Sequence, residues 1–218
     1  MSTMRILAAC LLSVSLASCG GGGEKSNEPT SVPSAATKSA QPSKEPSPAI
    51  TKQELPEVIL SVDEMPTGYA KDGKDDDGTP TSRYCDYKPK HKQLMGISRT
   101  FNRDDVDIVN ASVRVFESAA VAREAMAQVK SVLDDGCTEQ SLEGEKYRFG
   151  LVSAPSAGDQ SYAVRADIKS GGSVVNWYVL RGPAVLTVGG GGYSPMPIDD
   201  LRPLLDKQLA KFDAALSN

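Results

Sequence analysis

The run YAVRADIKSGGSVVNWYVLRGPAVLTVG, residues 162–189, decides the fold class. Tyr162, Val164, Ala166 and Ile168 alternate with Arg165, Asp167 and Lys169, the two-residue period of a strand with one face buried. Gly171-Gly172 turns the chain into a second such segment, 174–181, and Gly182-Pro183 turns it again into a third, 184–189. Three strands joined by two tight turns predict an antiparallel meander.

The same period recurs upstream. Segments 95–102 and 108–116 read as a hairpin, with Val109, Ala111, Val113 and Val115 facing one way and Asn110, Ser112 and Arg114 the other. Ser118 caps a helix that runs to about Asp134, because Ala122, Ala125, Met126, Val129, Val132 and Leu133 fall on one stripe and Gly136 supplies a stop. Downstream, Asp199 and Asp200 suit the start of a last helix that carries Leu201, Leu204, Leu205, Leu209, Phe212 and Leu216 on one face. Pro203 is tolerable there in or just after the first turn. Leu55, Val58, Ile59 and Leu60 show near-helical spacing, Pro66 and Gly68 break it, and the Asp/Gly/Lys-rich segment 71–82 reads as an exposed loop. This order predicts an α+β domain over residues 50–218: a twisted antiparallel sheet with helices packed on one face.

The N-terminus has a different character. Arg5 precedes the apolar run 6–16, too short for the ~20 residues of a membrane-spanning helix, and Leu16-Ala17-Ser18-Cys19 matches the bacterial lipobox. Residues 1–18 are therefore expected to be a lipoprotein signal peptide and Cys19 the lipidated residue. Two acyl chains, at ~0.8 kcal/mol per buried methylene, give a stable membrane anchor. Residues 19–49, rich in Ser, Pro, Gly and Thr, bury too little to fold and read as a disordered linker, spanning roughly 30 Å as a coil. With Cys10 removed and Cys19 acylated, Cys85 and Cys137 are left to pair as a disulfide in an oxidising compartment; no C-x-x-C spacing favours a reactive dithiol.

The chain has 24 basic and 28 acidic residues, a formal net charge of −4, and loss of Arg5 with the signal leaves 23 against 28, or −5. No basic stripe exists to neutralise phosphates, so no nucleic-acid partner is expected. His91 stands alone among Lys88, Lys90 and Lys92, which excludes a zinc site and leaves Ser/His/Asp chemistry one candidate base without a G-x-S-x-G elbow. Segment 71–78 is acidic, but aligning Asp75, Asp77 and Gly78 with a calcium loop puts Gly73 and Tyr84 where ligands belong. Gly189-Gly190-Gly191-Gly192 lacks the pattern of a phosphate loop and reads as a flexible exit from the last strand. No catalytic residue, metal or cofactor is expected. Tyr162, Trp177, Tyr178 and Tyr193 are aromatics that can line a pocket, and Arg165, Arg181 and Tyr193 are the candidates for a ligand-facing surface.

Over roughly residues 55–215 the chain resembles the PknH-like extracellular sensor domain family, found as the outer domain of an actinobacterial Ser/Thr kinase and as stand-alone lipoproteins. The likeness is carried by Leu60-Ser61-Val62-Asp63-Glu64-Met65-Pro66-Thr67-Gly68-Tyr69, Cys85, Val113-Arg114-Val115-Phe116 leading into the Ala-rich helix, Cys137, Gly158-Asp159-Gln160-Ser161-Tyr162, and Val179-Leu180-Arg181-Gly182-Pro183-Ala184-Val185. The resemblance implies a twisted antiparallel sheet flanked by helices, a cleft for a small ligand or cell-envelope component, and no enzymatic activity. The single candidate disulfide and the lack of a kinase or transmembrane segment argue against direct phospho-signalling. The expectation is a non-catalytic lipoprotein on the extracytoplasmic face of a cell membrane that binds or senses a small ligand. The alternative is a structural lipoprotein that binds another envelope protein.

Overall fold

The computed structural model describes residues 50–79, 84, 85, 87–142, 144–194 and 196–217, all within one of two units, Lys44–Asn218. The signal segment 1–18 and linker 19–49, Cys19 included, lie outside the described residues. The strands are β1 (Ala70–Asp76), β2 (Met95–Arg103), β3 (Asp107–Val115), β4 (Glu139–Leu142), β5 (Glu145–Val152), β6 (Gln160–Ile168), β7 (Ser173–Arg181) and β8 (Ala184–Gly192); the helices are α1 (Leu55–Val58), α2 (Ala119–Asp134) and α3 (Ile198–Leu216).

All eight strands join one antiparallel sheet in the order β1-β2-β3-β8-β7-β6-β5-β4. Two meanders, β1 to β3 and β4 to β8, are thus joined where β3 pairs with β8 from Ile108↔Gly191 to Val115↔Ala184. This pairing makes β3, β8 and β7 central strands, and central strands are buried on both faces. On one face Val109, Val113, Val175, Trp177, Val179, Leu186 and Val188 pack with Leu201, Leu204, Leu205 and Phe212 of α3 and Leu55 and Val58 of α1. On the other, Tyr162, Val164, Tyr178, Leu180 and Val185 pack with Ala122, Ala125, Met126 and Val129 of α2. The α+β class and the antiparallel sheet are those expected. The helices, however, divide between the two faces instead of sharing one, because both residue parities of β7 and β8 are apolar and each face needs cover.

α2 is delimited as its sequence predicts. Ser118 Oγ accepts a hydrogen bond from Val121 N–H at 3.2 Å, and Gly136 adopts φ +97. Gly136 N–H then bonds Leu133 O and Cys137 N–H bonds Val132 O, a Schellman stop. α3 holds the N-terminal segment through Gln208, which is fully buried. Its Oε1 accepts from Leu60 N–H at 3.0 Å and its Nε2 donates to Val58 O at 2.7 Å.

Two local expectations give way to the structure. The charged stretch expected to be a loop from 71 forms edge strand β1, exposed along most of its length; it pairs with β2 with a register shift between Asp72 and Asp76. Its lack of an apolar face is that of an edge strand, not of a loop. The four glycines expected to be a flexible exit continue β8 to Gly192, where neighbouring groups press on each of them. β4 and β5 lie in a stretch whose strand character the two-residue period does not reveal.

Candidate functional site

α2 covers only part of its face of the sheet. Beyond it the inward-facing residues of the central strands turn polar, and the register places them in rows. Ser98 of β2 lies opposite Ser112 of β3, Ser112 opposite Thr187 of β8, and Thr187 opposite Tyr178 of β7. The adjacent row is Thr100, Asn110, Gly189 and Asn176. Each row crosses three interstrand gaps, about 14 Å. These residues floor a cleft of about 420 Å³, within the range of small-molecule sites.

Gly189 shapes this floor. A Cβ there would lie within 3.0 Å of Asn176 Oδ1 and Asn110 Oδ1, so both carboxamides fold over the glycine from opposite sides. A side chain at 189 would displace them.

Tyrosines and a phenylalanine build the wall. Tyr84 and Tyr178 hydroxyls are 2.8 Å apart; Tyr84 meets Phe149 edge-on with centroids 5.0 Å apart, and Tyr162 stacks on Tyr178 at 5.1 Å. Tyr162 donates its hydroxyl proton to Met126 O at 3.0 Å. Burial, assisted by the neighbouring Tyr84 hydroxyl, pushes the Tyr162 and Tyr178 hydroxyls well above the usual tyrosine range, so both stay neutral.

The segment bearing Tyr84 and Tyr87 is tied to α2 at two points. Cys85 is disulfide-bonded to Cys137, the last residue of the Schellman turn, with Cα atoms 5.8 Å apart. Farther along, Gln128 of α2 accepts from Lys90 N–H at 3.0 Å and donates to Lys88 O at 2.9 Å. A second hollow of about 510 Å³ opens beside this segment and shares Thr79, Tyr87 and Arg114 with the first.

Arg114, on β3, is 4% exposed. Its guanidinium lies 5.9 Å from the Phe116 ring. Among the described residues it has no hydrogen bond or ion pair, whereas Arg99 on the opposite face is engaged by Asp75 through two hydrogen bonds, at 2.9 and 2.7 Å, and by Leu60 O at 2.6 Å.

The residues singled out from sequence fall elsewhere. Arg165 pairs with Asp167 at 2.6 Å. Arg181 is held by Asp213 of α3 at 2.7 and 3.0 Å and by Asp159 at 3.3 Å. Tyr193 is 80% exposed. None of the three lines the cleft, and the ion pair to α3 places Arg181 on the sheet face away from it. His91 lines the second hollow, 3.5 Å from Glu124. The residues that do floor the cleft include Asn110, Ser112 and Arg114, visible in sequence as the polar parity of one strand. What the sequence did not show is that this strand is central, so that its polar side faces a cleft instead of solvent.

No protein-family model matches the chain, and no curated protein is significantly similar to it in sequence. Its fold is similar to that of the extracellular domain of PknH from Mycobacterium tuberculosis, with a TM-score of 0.55 and 14% identity, covering 78% of this chain and 98% of that one. The structure thus defines a PknH-extracellular-domain-like α+β fold. No helix among the described residues is long and apolar enough to cross a membrane.

Proposed function

We propose that the chain is an extracytoplasmic binding or sensing module, non-catalytic and anchored through lipid on Cys19, whose ligand occupies the cleft between the sheet and the Tyr84–Tyr87 segment. The observation that carries the reading is the floor itself: polar residues of four adjacent strands, Ser98, Ser112, Asn110, Asn176 and Thr187 among them, converge in a concave site beside aromatic walls. Buried sheet faces are ordinarily apolar, and a polar, concave exception built on rigid strands is the form of a small-molecule site. Among the described residues its titratable lining consists of Asp76, Arg114 and tyrosines, with no second carboxylate to pair with Asp76 for acid–base work.

Three further observations support the setting. The Cys85–Cys137 bond suits an oxidising compartment, the lipobox at 16–19 suits export and acylation, and the fold is similar to a domain described as extracellular. Membership of the PknH-like sensor family as a stand-alone lipoprotein is part of this proposal, and the likeness of fold supports it.

A thermal-shift screen of the chain against envelope metabolites, lipids and glycans tests the reading. A concentration-dependent rise in Tm, following the mass-action form for a ligand of the folded state, is the expected result. A flat screen together with specific capture of one envelope protein would replace this reading with that of an interaction protein.

A further inference from the structure

Arg114 narrows the chemistry of the ligand, on the assumption that the cleft is the binding site just described. A guanidinium keeps its proton in any folded protein, so burial cannot neutralise it as it would a lysine or carboxylate. An ionised group taken out of water is ordinarily paired and hydrogen-bonded. At 4% exposure Arg114 has the Phe116 ring face nearby and no anionic or hydrogen-bonding partner among the described residues. Every other buried polar side chain that lines the same cleft is uncharged: Thr187 is the one, and the half-buried Ser98, Ser112, Asn110 and Asn176 continue its character.

Position adds a second, independent observation. Arg114 stands where the two hollows meet, lining both. Among the described residues the second hollow carries Lys52, Lys90 and Lys92 against the carboxylate of Asp77, a locally positive surface in a chain of net negative charge. Such a field draws anions toward the cleft. In the cleft itself the described polar residues other than Arg114 are hydroxyls and carboxamides, with the carboxylate of Asp76 among them.

We propose that the cleft binds a small hydroxyl-rich molecule through an anionic group, carboxylate or phosphate, held by the fork of Arg114, with its uncharged body lying across Asn110, Ser112, Thr187 and Asn176. Bidentate capture of either oxyanion is what the guanidinium geometry favours. A cleft of about 420 Å³ accommodates a molecule the size of an acidic or phosphorylated mono- or disaccharide.

Calorimetric titration of the full chain with glucuronate, glucose 6-phosphate, glucose and inorganic phosphate tests the assignment and separates the two anion types. One of the two acidic sugars is expected to bind at least ten-fold more tightly than glucose, with affinity that falls as NaCl rises. Arg114→Gln should abolish that advantage and Arg114→Lys should retain part of it. Because the arginine has no hydrogen bond or ion pair to lose among the described residues, and only the distant Phe116 ring contact, Arg114→Gln should also melt close to wild type without ligand; a large fall in Tm would make the residue structural and overturn the proposal. Equal binding of glucose and its acidic analogues would leave the cleft as the site and remove the anion. Undiminished binding of an acidic sugar to Arg114→Gln would move the anion away from Arg114. If no probe binds, the anionic class falls; the cleft reading falls with it unless the broader thermal screen finds an uncharged ligand whose effect is lost when Asn110 and Asn176 are replaced by Leu.

Discussion

Alanine substitutions along the glycine run of β8 should separate binding from stability residue by residue. At Gly191 a Cβ would come within 3.0 Å of Ser173 O and Val174 Cα, backbone atoms of the paired strand β7 that cannot rotate aside. Overpacking of this kind costs typically 1 to 3 kcal/mol, and a clash with backbone belongs at the upper end, about 3 kcal/mol. With a urea dependence of about 2 kcal/mol per molar for a domain of this size, Gly191→Ala should unfold at a urea concentration lower by about 1.5 M. At Gly189 the atoms met are the ends of the Asn110 and Asn176 side chains, which can swing away. Removing a strand glycine also recovers about 0.5 to 1 kcal/mol of backbone entropy, so the Gly189→Ala midpoint should stay within about 0.5 M of wild type. Its cost should fall on the cleft, where the displaced carboxamides no longer form the floor, and ligand affinity should drop at least ten-fold. Urea denaturation followed by circular dichroism, with ligand titration of both variants, decides it. A Gly191→Ala midpoint equal to wild type, or a Gly189→Ala protein less stable than Gly191→Ala, would contradict these contacts.

Gln208→Ala should cost about 2 to 5 kcal/mol, because it strands the buried Leu60 N–H and Val58 C=O that the side chain now satisfies; the urea midpoint measures it. Replacing both Cys85 and Cys137 by Ala should lower stability by about 2 to 4 kcal/mol on the chain-entropy account, and should weaken ligand binding as well, because the segment bearing Tyr84 and Tyr87 keeps only its Gln128 tie to α2. Hydrogen bonds from Arg99 hold Asp75 at about 2, down from 3.8. A depressed carboxylate stabilises fully above its unfolded value, so this contribution should be present at pH 5 and lost as the pH falls through about 4 to 2. With the Asp75 side chain 24% exposed, solvent screening leaves it on the order of 1 kcal/mol; Asp75→Asn should flatten the acid limb of the stability–pH curve by that amount, and an unchanged curve would contradict the assignment.

Periodicity was legible wherever one face of an element is apolar and the other wet. The hairpin β2–β3, α2 with its Ser118 cap and Gly136 stop, the meander β6 to β8 and α3 all have that contrast. Edge strand β1 has no apolar side, because it is exposed along most of its length, and so its Asp/Gly/Lys composition is that of a loop. The run Gly189 to Gly192 carries no side chains at all, and its meaning lies in neighbours from Asn110, Asn176, Ser173 and Asp107 that only the folded sheet brings together. Helix placement was illegible for a related reason: apolar residues at both parities of 174–188 show that two faces are buried but not which helix covers which. For the site, the polar parities of two adjacent strands pointed to Arg165 and Arg181, whereas Arg114 was legible only as one member of the polar parity of 108–116. Arg165, in the middle of β6, and Arg181, at the end of β7, are each paired with a carboxylate, whereas Arg114, on β3 between β2 and β8, has no ion pair among the described residues.

The side-chain amide resonances of Asn110 and Asn176 report directly on the floor of the cleft. In a titration of the isotopically labelled chain with the compounds that raise its Tm, the account predicts saturable shifts of both pairs of amide signals, accompanied by shifts on Ser112 and Thr187 and little change on Arg165, Arg181 and Asp213 across the sheet. Ligands that raise Tm while leaving Asn110 and Asn176 unmoved would contradict it.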